Sequence, residues 1–115
     1  MATLISDEDR VRLLDNGAAA ARGELGDPLP VVKLVTLDAH ATWLLTELDP
    51  QDGDTAFGLY DLGVGVPSLG QIKLSVLERI RGPRNLPVRC DSHFRPMRRL
   101  SEYVQLAQAD GSIND

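Results

Sequence analysis

The stretch from Val31 to Leu74, VVKLVTLDAHATWLLTELDPQDGDTAFGLYDLGVGVPSLGQIKL, decides the fold. It holds four apolar runs, at 31–37, 42–48, 56–62 and 70–74, separated by segments rich in Asp, Gly and Pro. Val, Leu, Ile, Thr, Phe and Tyr fill the runs, as a half-buried pleated surface requires. The connections are too short for parallel crossovers, which need a dozen or more residues, so the strands are expected to form an antiparallel meander. The prediction is a small, mainly antiparallel four-stranded sheet. Apart from Lys33 and Thr36, the first run is apolar on both faces, which predicts a central place for it. In the second, a period of two sets Trp43, Leu45 and Glu47 on one side and Thr42, Leu44, Thr46 and Leu48 on the other. A hairpin about the 49–55 loop would face Glu47 to Phe57 and Asp61 to Trp43.

Helices are expected on both flanks. Ser6 followed by Asp7, Glu8 and Asp9 is a helix start, because a hydroxyl accepts from free first-turn amides and acids suit the positive helix end. Asn16-Gly17 reads as a left-handed stop, giving a helix over about 7–15 and a second short turn over 18–22. Asp27-Pro28-Leu29-Pro30 is a rigid extended lead-in. Ser75-Val76-Leu77-Glu78 reads as a capping box opening a two-turn helix, with Val76, Leu77 and Ile80 inward and Gly82-Pro83 as its end. Residues 84–99 look irregular around a short strand at 87–90, and Ser101 is expected to cap a last helix to about 109, stopped by Gly111. The class is α+β, in one domain over residues 1–115.

Composition narrows the functional classes. Cys90 is the sole cysteine, which excludes an intramolecular disulfide and a metal site of cysteine pairs. The N-terminus lacks a basic region followed by an apolar run, and no apolar stretch nears the ~20 residues that span a bilayer. The expectation is a soluble cytoplasmic protein without membrane contact. The net charge of −5 hides an asymmetry: residues 1–72 carry twelve acids against four bases, residues 73–99 eight bases against Glu78 and Asp91. Either the two lobes neutralise each other inside the fold, or a cationic surface faces an anionic partner.

Taken in order, these segments resemble a known family. The stretch VVKLVTLDAHATWLLTELDPQDGDTAFGLYDLGVGVPSLG is followed by SVLERIRGPRNLPVRCDSHFRP, between the LLDNG of the first helix and the LSEY of the last. Together they resemble the small bacterial proteins catalogued as domain of unknown function 2958. The resemblance covers nearly the whole chain and carries over no catalytic residue. It implies a setting on plasmids and integrated mobile elements.

Candidate chemistry is sparse. Glu47, Asp49, Asp52, Asp54 and Asp61 offer the hard oxygens that calcium or magnesium take, but a calcium loop begun at Asp49 puts Asp54 at the glycine position and Tyr60 at the bidentate glutamate. Glu47 and Asp61 share a predicted face about 13 Å apart at ~3.3 Å per residue, so no metal or other cofactor is expected. The loop acids read as turn residues, and Glu47 and Asp61 as partners for the arginines. His93, beside Ser92, is a candidate proton shuttle, which makes Glu47, Asp61 and His93 the polar cluster to follow. The glycines of 63–70 contain Pro67 and lack the Lys-Ser/Thr of a phosphate loop. Cys90 is expected to be inert and His40 to face water. The candidate partner-binding residues are Arg79, Arg81, Arg84, Arg95, Arg98 and Arg99, with Arg89 in the same segment, since guanidinium groups favour bidentate carboxylate or phosphate contact. Phe94 is the segment's one aromatic, a weak basis for stacking bases. Three functions follow in order: an adaptor acting by protein–protein contact; nucleic-acid binding, or interference with a nucleic-acid enzyme; and a small hydrolase or transferase using Asp61, His93 or Arg95.

Overall fold

The structure, a computed structural model, describes residues 4–36 and 39–113. Leu37 and Asp38, expected at the first strand's end and in the following turn, lie outside the described residues. The elements run α1 (Asp7–Ala21), β1 (Val32–Thr36), β2 (Thr42–Leu48), β3 (Thr55–Asp61), β4 (Ser68–Lys73), α2 (Leu74–Leu77), β5 (Val88–Cys90) and α3 (Leu100–Asp110).

The arrangement is α+β, and the meander is present. One correction concerns its size: the sheet has five strands, in the order β4-β3-β2-β1-β5. The short strand in the arginine segment closes the far side of β1, with Leu34 opposite Cys90 and Thr36 opposite Val88. Every pairing is antiparallel. The middle of the sheet is therefore β2, not β1. Burial agrees: β1 alternates along its length, whereas Trp43, Leu44, Leu45 and Thr46 are all buried. β1 is nevertheless inside the sheet, paired with β2 on one side and β5 on the other, as its two-sided apolarity predicts.

A β-bulge between Leu45 and Glu47 changes the expected faces of β2. Thr46 is the extra residue, and its hydroxyl donates to the Phe57 carbonyl at 3.2 Å. Beyond it the period of two is shifted by one. Glu47 does pair with Phe57, but Leu48 now joins Trp43 and Leu45 in one apolar cluster while Leu44 belongs to the other. For the same reason Asp61 pairs with Thr42 rather than Trp43.

The two clusters flank the sheet. One gathers Ile5, Leu13, Val32, Leu34, Trp43, Leu45, Leu48, Leu74, Leu77 and Val88 under α1 and α2; the other gathers Leu44, Leu59, Leu100, Tyr103 and Ala107 under α3. Leu13, Leu34, Leu44, Leu45, Leu48, Leu59 and Leu77 are wholly buried. Each contributes roughly 1.5–3 kcal/mol of burial, against about 0–1 kcal/mol for an exposed ion pair. Aliphatic packing, not charge pairing, holds the fold.

The helix boundaries differ from expectation for tertiary reasons. The helix α1 runs through Asn16-Gly17 without stopping, because Gly17 is buried against β2: a Cβ there would lie 1.7 Å from the Leu48 carbonyl oxygen. Asn16 donates its side-chain amide to the Thr46 carbonyl at 2.9 Å. Both residues serve helix–sheet contact. The helix α2 is a single turn whose N-cap is Lys73, so the Ser75–Glu78 capping box does not form, and Val76 is exposed rather than inward. Ser101 is likewise not a cap; Arg99 holds that position and α3 begins at Leu100. Its end is as expected, with Gly111 left-handed at φ 75°. His40, at φ 55°, is exposed in its turn.

Candidate functional site

Five aspartates of the first two-thirds of the chain, Asp27, Asp49, Asp52, Asp54 and Asp61, accept from backbone amides. Asp49 accepts from the Gln51 amide at 2.9 Å, and Asp52 from the amides of Asp54 and Thr55 at 2.9 Å and the Thr55 hydroxyl at 2.7 Å. The three Thr55 and Asp54 donors stabilise the charged form and hold the Asp52 carboxyl down at about 2. Asp61, buried at the end of β3, accepts from Gly63 at 2.8 Å and from Ile113 at 3.1 Å. This corrects the expectation that Asp61 pairs with an arginine. Its two oxygens tie the β3–β4 turn to the segment after α3.

Two further aspartates start helices from a distance. Asp54 accepts the Ser75 amide at 2.9 Å and the Ser75 hydroxyl at 2.7 Å, while its carbonyl takes the Leu74 amide. Asp27 does the same at α3, taking the amide and hydroxyl of Ser101, while the neighbouring Pro28 carbonyl takes the Leu100 amide. The sequence offers Ser75 and Ser101 as caps. In the fold each serine is the second residue of its helix, and a remote carboxylate satisfies the orphan first-turn donors. The serine hydroxyl and amide hold both carboxyls below the usual carboxylate range.

The arginines contrast with this. Arg79, Arg81, Arg84, Arg89, Arg95, Arg98 and Arg99 are all exposed. Arg81 donates to the carbonyls of Glu78 and Ile80, Arg95 to those of Ser92 and Phe94, and Arg99 to that of Asp27 at 2.7 Å. Arg99 also places its charge beside the Asp27 carboxylate. The side chains of Arg79, Arg89 and Arg98 make no hydrogen bond or ion pair among the described residues. The ion pairs shown are Arg12–Glu8, Arg22–Glu24 and Lys33–Asp91, and none of these uses an arginine of 79–99. Along the sequence the basic residues lie on both sides of β5, an edge strand of the sheet.

The structure does not gather Glu47, Asp61 and His93. Glu47 lines a cleft of about 370 Å³ with Gly17, Ala20, Pro50 and Phe57, where partial burial raises its carboxyl. Asp61 is at the opposite end of the β2–β3 hairpin. His93 lies on the exposed loop after β5, its amide donating to Asp91 at 2.9 Å. The strands carrying Asp61 and leading to His93 are three spacings apart in the sheet, about 14 Å.

A larger cleft of about 810 Å³ opens between the first turns of α1, residues 29–32 and residues 90–96. Asp9, Arg12, Cys90, Asp91, Phe94 and Arg95 line it. Burial, then the Asp9 and Asp91 carboxylates, push the half-buried Cys90 thiol up, so it stays protonated at neutral pH, as a nucleophilic thiol does not. Among the described residues no group of three or more His, Cys, Asp or Glu is placed to hold a metal. Among the described residues no helix is long and apolar enough to cross a membrane.

The chain matches, over residues 4–114, the family model described as "Protein of unknown function (DUF2958)", and it belongs to that family. Neither a curated protein nor a solved structure matches it.

Proposed function

We propose that the protein is a non-enzymatic adaptor that docks an acidic protein surface against the arginines of the β5 segment. The observation that carries this reading is the exposure of Arg79, Arg89, Arg95 and Arg98 without a carboxylate partner among the described residues. Asp27, Asp49, Asp52, Asp54 and Asp61, which could neutralise these cations internally, are instead committed to turns and helix starts. Guanidinium groups on a surface steer an acidic partner and bind carboxylates two-pronged. Phe94 is the segment's single aromatic and is half-buried, its ring centroid 6.5 Å from that of Tyr103, which favours a protein partner over stacked single-stranded bases. The cytoplasm and the mobile-element setting implied by the family resemblance belong to this reading.

The test is capture of the tagged full-length chain from a bacterial host, beside a variant carrying Arg89→Glu, Arg95→Glu and Arg98→Glu. The expected result is a protein recovered in near-equal amount with the parent and lost with the variant, at unchanged melting temperature. A variant that no longer folds would overturn the reading, by showing the arginines to be internal partners. Recovery of nuclease-sensitive material, with log affinity falling linearly against log salt, would favour the nucleic-acid alternative instead.

A further inference from the structure

The cleft of about 370 Å³ that holds Glu47 lies where the end of α1 meets the β2–β3 hairpin. Its volume falls within the ~300–1,000 Å³ of small-ligand pockets. Strand register sets three of its side chains in a row, since Glu47 pairs with Phe57 and Phe57 with Gln71. Directly opposed residues have Cβ atoms about 4.5–5.5 Å apart, so these side chains are neighbours. Ala20, Pro50 and Phe57 give the cleft an apolar wall, while Glu47, Asp49 and Gln71 supply oxygen acceptors.

The field in this cleft has one sign. Two of its lining residues are carboxylates and none is a base. The helix α1 ends here at Ala21 with no base in its last turn, so the negative end of its dipole adds to the same field. Bases close by in the sequence are engaged elsewhere: Arg22 pairs with Glu24, and Lys73 lies beside Asp52 and Asp54. Glu47 is half-buried, and its carboxylate has no hydrogen bond or ion pair among the described residues. Burial raises its carboxyl, and no neighbouring cation offsets that. A carboxylate withdrawn from water without a partner is costly, and a bound positive charge relieves that cost.

We infer that this cleft binds a primary alkylammonium group, its head at Glu47 and Asp49 and its stem along Phe57, Pro50 and Ala20. An ammonium has three donors. Glu47 is free to accept, Asp49 commits one oxygen to the Gln51 amide and keeps the other, and Gln71 adds an amide carbonyl. A bare divalent ion fits less well, because it takes about six or more oxygens and gains nothing from an apolar wall. No arginine of 79–99 lines this cleft, so the site is separate from the docking surface proposed above.

The test is an amide-detected magnetic resonance titration of the full-length chain with n-butylammonium chloride at constant ionic strength. It runs beside 1-butanol, the uncharged counterpart, and beside Glu47→Gln, which keeps the side chain's size. Saturable shifts at residues 17–21, 47–57 and 71 are expected, with affinity at least tenfold lower for the alcohol and for the variant. Absence of saturation at those residues overturns the inference, as does equal binding of the alcohol or an unweakened Glu47→Gln. Nα-acetyl-lysine amide separates the two sources of such a group. Affinity equal to that of butylammonium assigns the site to a lysine side chain of a protein, and clearly lower affinity assigns it to a free amine. If Glu47→Gln does not fold, the carboxyl titrations of Glu47 and Asp49 in the parent decide. Saturating butylammonium must move the Glu47 titration to lower pH, because a bound cation favours the charged form, and an unmoved titration overturns the inference.

Discussion

The aspartates before β5 and the arginines around it carry opposite charge and opposite duties. Asp27, Asp52, Asp54 and Asp61 each accept two or more bonds from amides or hydroxyls at turns and helix starts. Arg79, Arg89 and Arg98 are exposed, and their side chains have no partner among the described residues. The difference teaches that charge asymmetry along a chain need not resolve as ion pairing. One sign can be structural while the other is held at the surface.

The contrast can be broken most severely at Asp61. Asp61→Ala leaves the Gly63 and Ile113 amides without an acceptor at a buried site, and denaturant unfolding should show a loss of roughly 1–3 kcal/mol. An unchanged midpoint would place Asp61 outside the structural set. Next in size are Asp27→Ala and Asp54→Ala. Each should lower the melting temperature and speed amide exchange at Ser101 or Ser75 respectively, without affecting the other helix.

Acid sharpens the same comparison. The folded carboxyls of Asp27 and Asp54 lie below 3.8, and that of Asp52 lies at about 2. A depressed folded value stabilises above the unfolded value and loses that contribution as pH falls through the folded one. Melting temperature should stay level from neutral pH to about 5 and decline between about 4 and 2. Asp52→Ala should make that decline shallower. The smallest effect is expected on the other side: Arg89→Glu with Arg98→Glu should change stability by no more than about 0.5 kcal/mol, as surface substitutions do. A clear loss in thermal melts would mean that those arginines serve the fold.

Much of the fold was legible in the sequence. Alternating apolar runs and Asp/Gly turns announced the meander, and Gly111 announced the end of α3, because those signals act within a few residues. What escaped depended on contacts from far along the chain. Asn16-Gly17 looks like a stop unless the Leu48 carbonyl is known to need a residue without Cβ beside it. Nothing local in TWLLTEL announces the bulge at Thr46 that turns Glu47 to the other face. Ser75 and Ser101 resemble caps because their true partners lie 21 and 74 residues upstream. Of the candidate site, the arginines' exposure was an open alternative in the sequence. The role of Asp61 was not legible, since its partner Ile113 lies 52 residues away.

The Asp27–Ser101 contact bears on how the chain is made. The β1–β2–β3–β4 meander links neighbours and can form as the polypeptide emerges. The start of α3 has no acceptor for its serine until residue 101 returns to residue 27, with 74 positions between them. Closing so distant a pair is slow, because the entropy of the intervening chain is lost before the contact gives anything back. The sheet face that α3 covers, with Leu44 and Leu59, therefore stays open until α3 has been made. A helix translated after the whole sheet closes that face.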